Sequence, residues 1–436
     1  MSLMIIWQII TISLVKTAIR ALRLIGRHGT ALPGLIAESM HPGLLKKLSS
    51  ELSGGAILVT GTNGKTTTSK MLRGLLEGRG LKVLANRSGS NFTRGILASL
   101  IEHATISGRL NYDMAVLEVD EAYCRLVARQ VSPKNILVLN VMRDQLDRYG
   151  EIDTTAKLIG EALRYTQSAV LNANDPPVAS LEKHINDDRK TTFYGVSPQL
   201  KKNLPTDEEL LSGSLKTKHE PPEPDVILYD FQPEKDNLAR VMVGGNTYTF
   251  NLRFGGVHNA QNATAALAAV YSLTSNIGTK DMKTLSNISP AFGRGEDLLI
   301  RGVKTQLALV KNPSGFNQNI RTFASNPEVG AILILINDRY ADSRDVSWLW
   351  DANMEPLKTS QAKFVAGGIR AYDMALRLQY ENIAVADIQT SIRLALKSAV
   401  DQTPKGKKLL ILPTYTAMLE VRKLLSKTAE LEKIWR

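Results

Sequence analysis

Short apolar runs rich in β-branched residues alternate with helix-length stretches along most of the chain. Strands are predicted at Ala56–Thr60, Lys82–Ala85, Met114–Glu118, Asn135–Asn140 and Ala169–Asn172, with helices such as Lys65–Glu77 and Thr154–Leu163 between them. Strands separated by helices imply α/β architecture, a parallel sheet covered on both faces with ligands gathered at the carboxyl ends of its strands. The rhythm lapses over residues 197–237, which are polar and proline-rich and read as an insertion or a long surface connection. It returns with a strand at Thr247–Phe254 and an alanine-rich helix at Asn259–Ser272, then breaks again around Ser289–Gly302. Beyond that break Ala308–Val310, Ala331–Ile336, Ala362–Ala366 and Leu409–Leu412 are strand-like. The expected organisation is therefore a helical segment at 1–49, a central α/β domain at 50–300 and a smaller α/β domain at 301–436.

The N-terminal pattern is different. Residues 1–15 form an apolar run broken by Ser2, Gln8, Thr11 and Ser13, too short to cross a bilayer as it stands and without the basic leader of a secretory signal. Lys16, Arg20, Arg23 and Arg27 then recur at helical spacing, and Ile12, Val15, Ile19 and Leu22 share a neighbouring face. Two readings stay open: an amphipathic helix lying on an anionic membrane, or a helix packed on its own domain with a solvated basic side.

Composition narrows the class. With 436 residues, 43% hydrophobic and 22% charged, the chain is long enough for two or three folded domains. Fifty-four Lys and Arg against 42 Asp and Glu give +12, which suggests an anionic partner. No zinc-finger spacing or aromatic RNA-binding motif accompanies the charge, so nucleic acid is not expected. The single cysteine, Cys124, excludes an internal disulfide and an all-cysteine zinc cage, and fits a reducing, cytoplasmic compartment. Without activating neighbours it reads as a small buried residue rather than a nucleophile.

The chemistry concentrates at residues 56–68, AILVTGTNGKTTT, where a strand runs into a glycine-bracketed loop and then a helix. Gly61 and Gly64 let the backbone amides of Thr62, Asn63 and the residues beyond approach phosphates. Lys65 offers a point charge to the β- and γ-oxygens, Thr66 can hold Mg²⁺, and Thr67 continues the helix whose positive end faces the anion. The first glycine of the longer phosphate loop is replaced by Val59, so the loop is of the short GTNGKT type. Glu118, Asp120 and Glu121 end the strand at 114–118, where carboxylates can hold Mg²⁺ directly or through water. Asn140, Asp144 and Asp147 follow the next strand.

Together these segments resemble the Mur ligase superfamily of ATP-dependent ligases, which join an amino group to a carboxylate in cell-wall precursors. GTNGKTTT matches its phosphate loop, and NVMRDQLDRYG matches its Asn-x-x-x-Asp-His-x-Asp segment with Gln145 in place of the histidine. NANDP at 172–176, GVHNAQNATAALAA at 256–269 and FGRGE at 292–296 follow in the family's order. The resemblance implies a Mur ligase-like central domain, ATP and Mg²⁺ as cofactors, adenine contact at Asn259 with support from Asn262, and Arg294 near ribose or phosphate.

LEVDEA, VKNPSGFNQ, INDRYADSRDVSWLWD and LPTYTAML extend the match over essentially the whole chain. They are similar to the synthetase subunits of lipid II isoglutaminyl synthases, within that superfamily. This implies amidation of the α-carboxylate of D-glutamate in lipid II through an acyl phosphate, with ammonia from a separate GatD-like glutamine amidotransferase docked on the C-terminal domain. Asp345 is the expected catalytic carboxylate beside Lys65, with Asp338 and Asp351 in reserve; an aromatic core around Trp348 and Trp350 is its bland alternative. Two features depart from the family: no cysteine stands at 197–237 where many members carry a zinc ribbon, and no magnesium-bridging lysine is identifiable. Other function classes remain open: a Mur-type ligase that adds an amino acid (peptidoglycan or polyglutamate), or a nucleotide-gated scaffold that holds a glutaminase.

Overall fold

The computed structural model describes residues 3–24, 30–86, 89–142, 152–186, 188–202, 204, 222–290, 294–324 and 326–426. The chain forms two compact units, one built mainly from residues up to Ile288 and the other from Ser289 onward.

The first unit is organised on a nine-stranded sheet: β1 Ala56–Thr60, β2 Val83–Ala85, β3 Met114–Glu118, β4 Asn135–Val138, β5 Ser168–Asn172, β6 Lys190–Val196, β7 Val226–Gln232, β8 Leu238–Val243 and β9 Asn246–Asn251. Their order is β2-β3-β1-β4-β5-β6-β7-β8-β9, parallel up to β7 and antiparallel from β7 to β9. β1, β3 and β4 are buried along their whole length, as continuous apolar runs require of strands covered on both faces. β7 lies inside the stretch expected as an insertion or surface connection. That expectation fails for residues 226–232, where the short run Val226, Ile227, Leu228 and Tyr229 passes into Asp230 and Gln232 and sits within the polar, proline-rich stretch, whereas β9 falls on the strand expected at Thr247–Phe254.

The longer helices of this unit are α1 Leu3–Leu24, α2 Ala31–Met40, α3 Leu44–Ser49, α4 Lys65–Gly78, α5 Thr93–His103, α6 Cys124–Val131, α7 Ile152–Leu163, α8 Val257–Thr274 and α9 Thr279–Asn287. α8 is buried nearly all round, which its small alanine side chains make possible close to β5 and β6. α1 is not a free segment. Ile12, Val15 and Ile19 join the core that also holds Leu58, Leu100 and Leu117. The apolar face expected to meet a membrane is thus occupied by the protein. The basic side is not simply solvated either: Lys16 donates to the carbonyls of Glu102 and Ala104, and Arg23 pairs with Glu102. Arg27 lies outside the described residues. The expected shortness also fails, because residues 5–24 continue as one helix with mean hydropathy 1.5, long and apolar enough to cross a bilayer by length and composition alone.

The second unit carries β10 Arg294–Ile300, β11 Val303–Ala308, β12 Val329–Leu335, β13 Lys363–Gly367, β14 Val385–Gln389 and β15 Lys408–Pro413. The order is β10-β11-β15-β12-β13-β14, with only the β10–β11 pair antiparallel. Its longer helices are α10 Pro313–Asn319, α11 Ala371–Tyr380, α12 Ile392–Gln402 and α13 Tyr415–Leu425. Two apolar layers flank this sheet, one around Phe316, Ile334 and Met374, the other around Leu333, Leu396 and Met418.

Candidate nucleotide site

Strand order reverses at β1, so the loop after it opens between the carboxyl ends of β3 and β4, where a doubly wound sheet leaves a crevice. Gly61 and Gly64 hold φ of +124° and +88°, a region open to glycine at little cost. Both are also crowded. A Cβ on Gly61 would stand 2.8 Å from the Asn140 carbonyl oxygen, and one on Gly64 would stand 2.4 Å from Asn262 Oδ1.

Asn140 fastens the loop from the β4 side. Its amide Oδ1 accepts from the Asn63 N–H at 2.8 Å, its Nδ2 donates to the Asn63 carbonyl at 3.0 Å, and its backbone carbonyl accepts from the Thr62 N–H. Thr62 Oγ1 in turn accepts from the Met142 N–H at 3.0 Å. Asn262, on α8, abuts Gly64 from the other side, and Asn259, one turn earlier, is buried at 5% exposure.

Lys65 is the first residue of α4 and is 7% exposed. Its Nζ donates to the carbonyls of Gly61 and Thr62 and forms a 3.0 Å ion pair with Glu121 Oε2. Burial pulls its pKa down, but the carboxylates of Glu121, Asp120 and Glu118 outweigh that, so the ammonium is held above its usual range. Glu118, Asp120 and Glu121 are all buried. Asp120 caps the short helical turn that begins at Glu121 by accepting from the Ala122 N–H. Three carboxylates around one ammonium leave the pocket rich in negative charge, a donor set suited to a hard cation. Among the described residues no three His, Cys, Asp or Glu side chains are grouped as a metal cage. A cation here would complete its shell with phosphate and water oxygens, as Mg²⁺ does. Thr66 follows Lys65, half-buried, and Thr67 is buried in α4.

Several residues of the site were not singled out from the sequence. Asn86, just after β2, holds the Glu118 backbone on both sides, donating to its carbonyl at 2.9 Å and accepting its N–H at 2.8 Å. Asp175, within the NANDP segment, accepts from the Val141 N–H at 3.1 Å and caps the following turn through the Val178 N–H. Asn172 donates to the Leu139 carbonyl. The NANDP segment was the signal for Asn172 and Asp175, without their contacts; for Asn86 the signal is a polar residue directly after a strand, which is common to many loops.

Asp144, Gln145 and Asp147 lie outside the described residues. Arg294 opens β10, and its side chain is likewise outside the description. In the second unit Asp345 is exposed in the loop after β12, where its carboxylate accepts from the Ser347 N–H at 2.8 Å. Asp338 is paired with Arg370, and Asp351 is exposed at the end of a short helix. Trp348 packs edge-on against Phe316, so part of the aromatic segment belongs to the core while Asp345 stands outside it. The loop is fastened by buried Asp342, which accepts from the Thr416 N–H and from Thr416 Oγ1. Cys124 is fully buried, and burial pushes its thiol up to about 12, the opposite of what a nucleophile needs.

Residues 59–270 match the Mur ligase middle domain, and residues 309–418 match the MurT ligase C-terminal domain. The chain is 30% identical over 425 residues to the lipid II isoglutaminyl synthase (glutamine-hydrolyzing) subunit MurT of Streptococcus pneumoniae, covering 92% of this chain and 93% of that one. It is 28% identical to the corresponding Staphylococcus aureus subunit over 96% of this chain and 98% of that one. Among solved structures, MurF from Acinetobacter baumannii superposes with a TM-score of 0.69 at 19% identity, over 91% of this chain and 80% of that one. The Thermotoga maritima MurF ligase in complex with ADP gives 0.67 at 18% identity, over 89% and 84% of the two chains.

Proposed function

The chain belongs to the MurT family of Mur ligases, and from that premise we propose that it is the synthetase subunit of a lipid II isoglutaminyl synthase, an ATP-dependent carbon–nitrogen ligase of peptidoglycan synthesis. The reading is carried by the presence in one chain of a Mur-type phosphate loop with a buried ammonium and a MurT-type C-terminal match.

The acceptor is the α-carboxylate of D-glutamate in the stem peptide of lipid II. One of its oxygens attacks the γ-phosphorus of ATP, ADP leaves, and an acyl phosphate forms. Ammonia then attacks the acyl carbon, phosphate leaves with the bonding electrons, and the surplus proton passes to a base, leaving the amide. Lys65 serves the first step: γ-phosphate oxygens replace the Gly61 and Thr62 carbonyls as its acceptors, and its ammonium offsets the charge that builds between the two reactants. Mg²⁺, held by Thr66 with Glu118, Asp120 and Glu121, would add the remaining positive charge. Asn259 receives adenine with support from Asn262, and Arg294 meets ribose or phosphate. Asp345 orients ammonia or takes its proton, as an exposed carboxylate whose other neighbour in sequence space, Asp338, is already engaged by Arg370.

Ammonia comes from a GatD-like glutamine amidotransferase subunit, because the one thiol in this chain is buried and protonated. The site of reaction is the cytoplasmic face of the membrane, where a lipid-linked acceptor would be met. The test is the complex with its glutaminase, supplied with ATP, glutamine and lipid II and followed by mass spectrometry for replacement of one hydroxyl by an amino group. Lys65→Ala should lower that conversion by at least about 100-fold. Undiminished amidation in that variant removes the reading, and product carrying an added amino acid instead would make the chain an amino-acid-adding ligase.

A further inference from the structure

The inward face of α1 is spent on the core, and the face opposite to it is not. Ile6, Ile10 and Leu14 recur every fourth residue and remain 40–44% exposed, with Trp7 beside them at 49%. Isolated exposed apolar side chains are ordinary, but a stripe of large ones over three turns of one helix is not. α2 runs back against α1, with the Trp7 indole N–H donating to the carbonyl of its last residue, Met40, at 2.7 Å. It adds exposed Leu32 and Leu35.

We propose that this outward stripe of α1, extended by α2, is the surface by which the protein lies on an anionic lipid bilayer. Four observations favour a bilayer over another protein. α1 contains no acidic residue, and Arg20 is exposed beside the stripe, which suits phosphate headgroups. The chain carries +12 overall. Trp7 presents an apolar ring with its one polar atom already satisfied, the form that settles at a membrane interface. Residues 5–24 have a mean hydropathy of 1.5, and only 22% of the stretch is buried within the domain.

The helix lies on the bilayer rather than crossing it. Gln8 donates to the Ser107 carbonyl at 3.0 Å, Lys16 to that of Glu102 at 3.1 Å, and Arg23 pairs with Glu102, so three points along α1 are fastened to the domain. Extracting the helix would strand these groups in hydrocarbon. The inference deepens the reading above, on which the lipid-linked acceptor rests, but its test needs no turnover.

Full-length protein is floated with vesicles of phosphatidylglycerol and phosphatidylcholine, and with vesicles of phosphatidylcholine alone. Wild type should rise with the anionic vesicles and far less with the neutral ones. Ile10→Ser/Leu14→Ser, two exposed positions outside the buried core, should cut anionic-vesicle binding at least about tenfold, with ATP binding and melting temperature unchanged. Arg20→Gln should weaken binding less and reduce its salt dependence. Equal flotation of the double variant overturns the proposal, as does equal binding to both vesicle types. A lipid-independent dimer that the same substitutions dissociate would assign the stripe to a second copy and also overturn it.

Discussion

At the scale of single residues, the site is a balance of buried charge. Lys65 and the carboxylates of Glu118, Asp120 and Glu121 are each tolerable inside the protein only because of the others, since a lone buried charge is costly. The ammonium now bonded to its own loop and Glu121 is therefore in its charged form across the physiological range. Cys124 shows the opposite case, a group kept neutral by burial. Its thiol ionises near 9.0 ordinarily and near 12 in the fold, so over that interval the folded state holds a proton that the unfolded state has lost. Stability should fall as pH rises through this window. Cys124→Ala should flatten the decline in a series of alkaline melts; an unchanged slope would mean other groups cause it.

At the scale of elements, the phosphate loop is shaped by asparagines and an aspartate at strand ends as much as by its glycines. Asn140 copies the backbone pairing of a further strand against Asn63, while Asp175 ties the chain after β4 to the start of the next turn. Asp175 is 3% exposed, and its loss strands the Val141 and Val178 N–H groups. Asp175→Ala should cost about 2–3 kcal/mol in denaturant melts. ATP affinity should fall with it, because Val141 adjoins the Asn140 clamp. A variant that loses stability but binds ATP as before would separate the two roles. The strands β1 and β3 were legible because each is an unbroken apolar run, and α4 because its loop announces it. β9 was legible too, at Thr247–Phe254, but β6, β7 and β8 were not, since threonine, aspartate, arginine or glutamine interrupts their apolar residues and each strand gains its identity from its neighbour.

At the scale of the whole molecule, the phosphate-loop lysine lies in the first unit and the proposed catalytic Asp345 in the second, while the chain's one cysteine is buried. The chain should then be an amidating enzyme that takes ammonia but does not make it. Supplied with ammonium salts instead of glutamine, the isolated chain should amidate lipid II without its partner, at a rate that rises with pH as ammonium gives up its proton. A strict requirement for glutamine and partner at every ammonium concentration would show instead that the partner completes the synthetase site.

The sequence by itself determined the phosphate loop, the acids near Lys65, the α/β class and the family resemblance, because these depend on local pattern: an apolar run, a glycine at a fixed spacing, a lysine at a helix start. Tertiary structure decided which acid pairs with Lys65, that Asn86 and Asp175 belong to the site, and that Ile12, Val15 and Ile19 point into the core. The physical reason is that helical spacing defines faces but not what covers them. On α1 two apolar faces compete for one core, and only packing against α2 and α5 leaves Ile6, Ile10 and Leu14 outside.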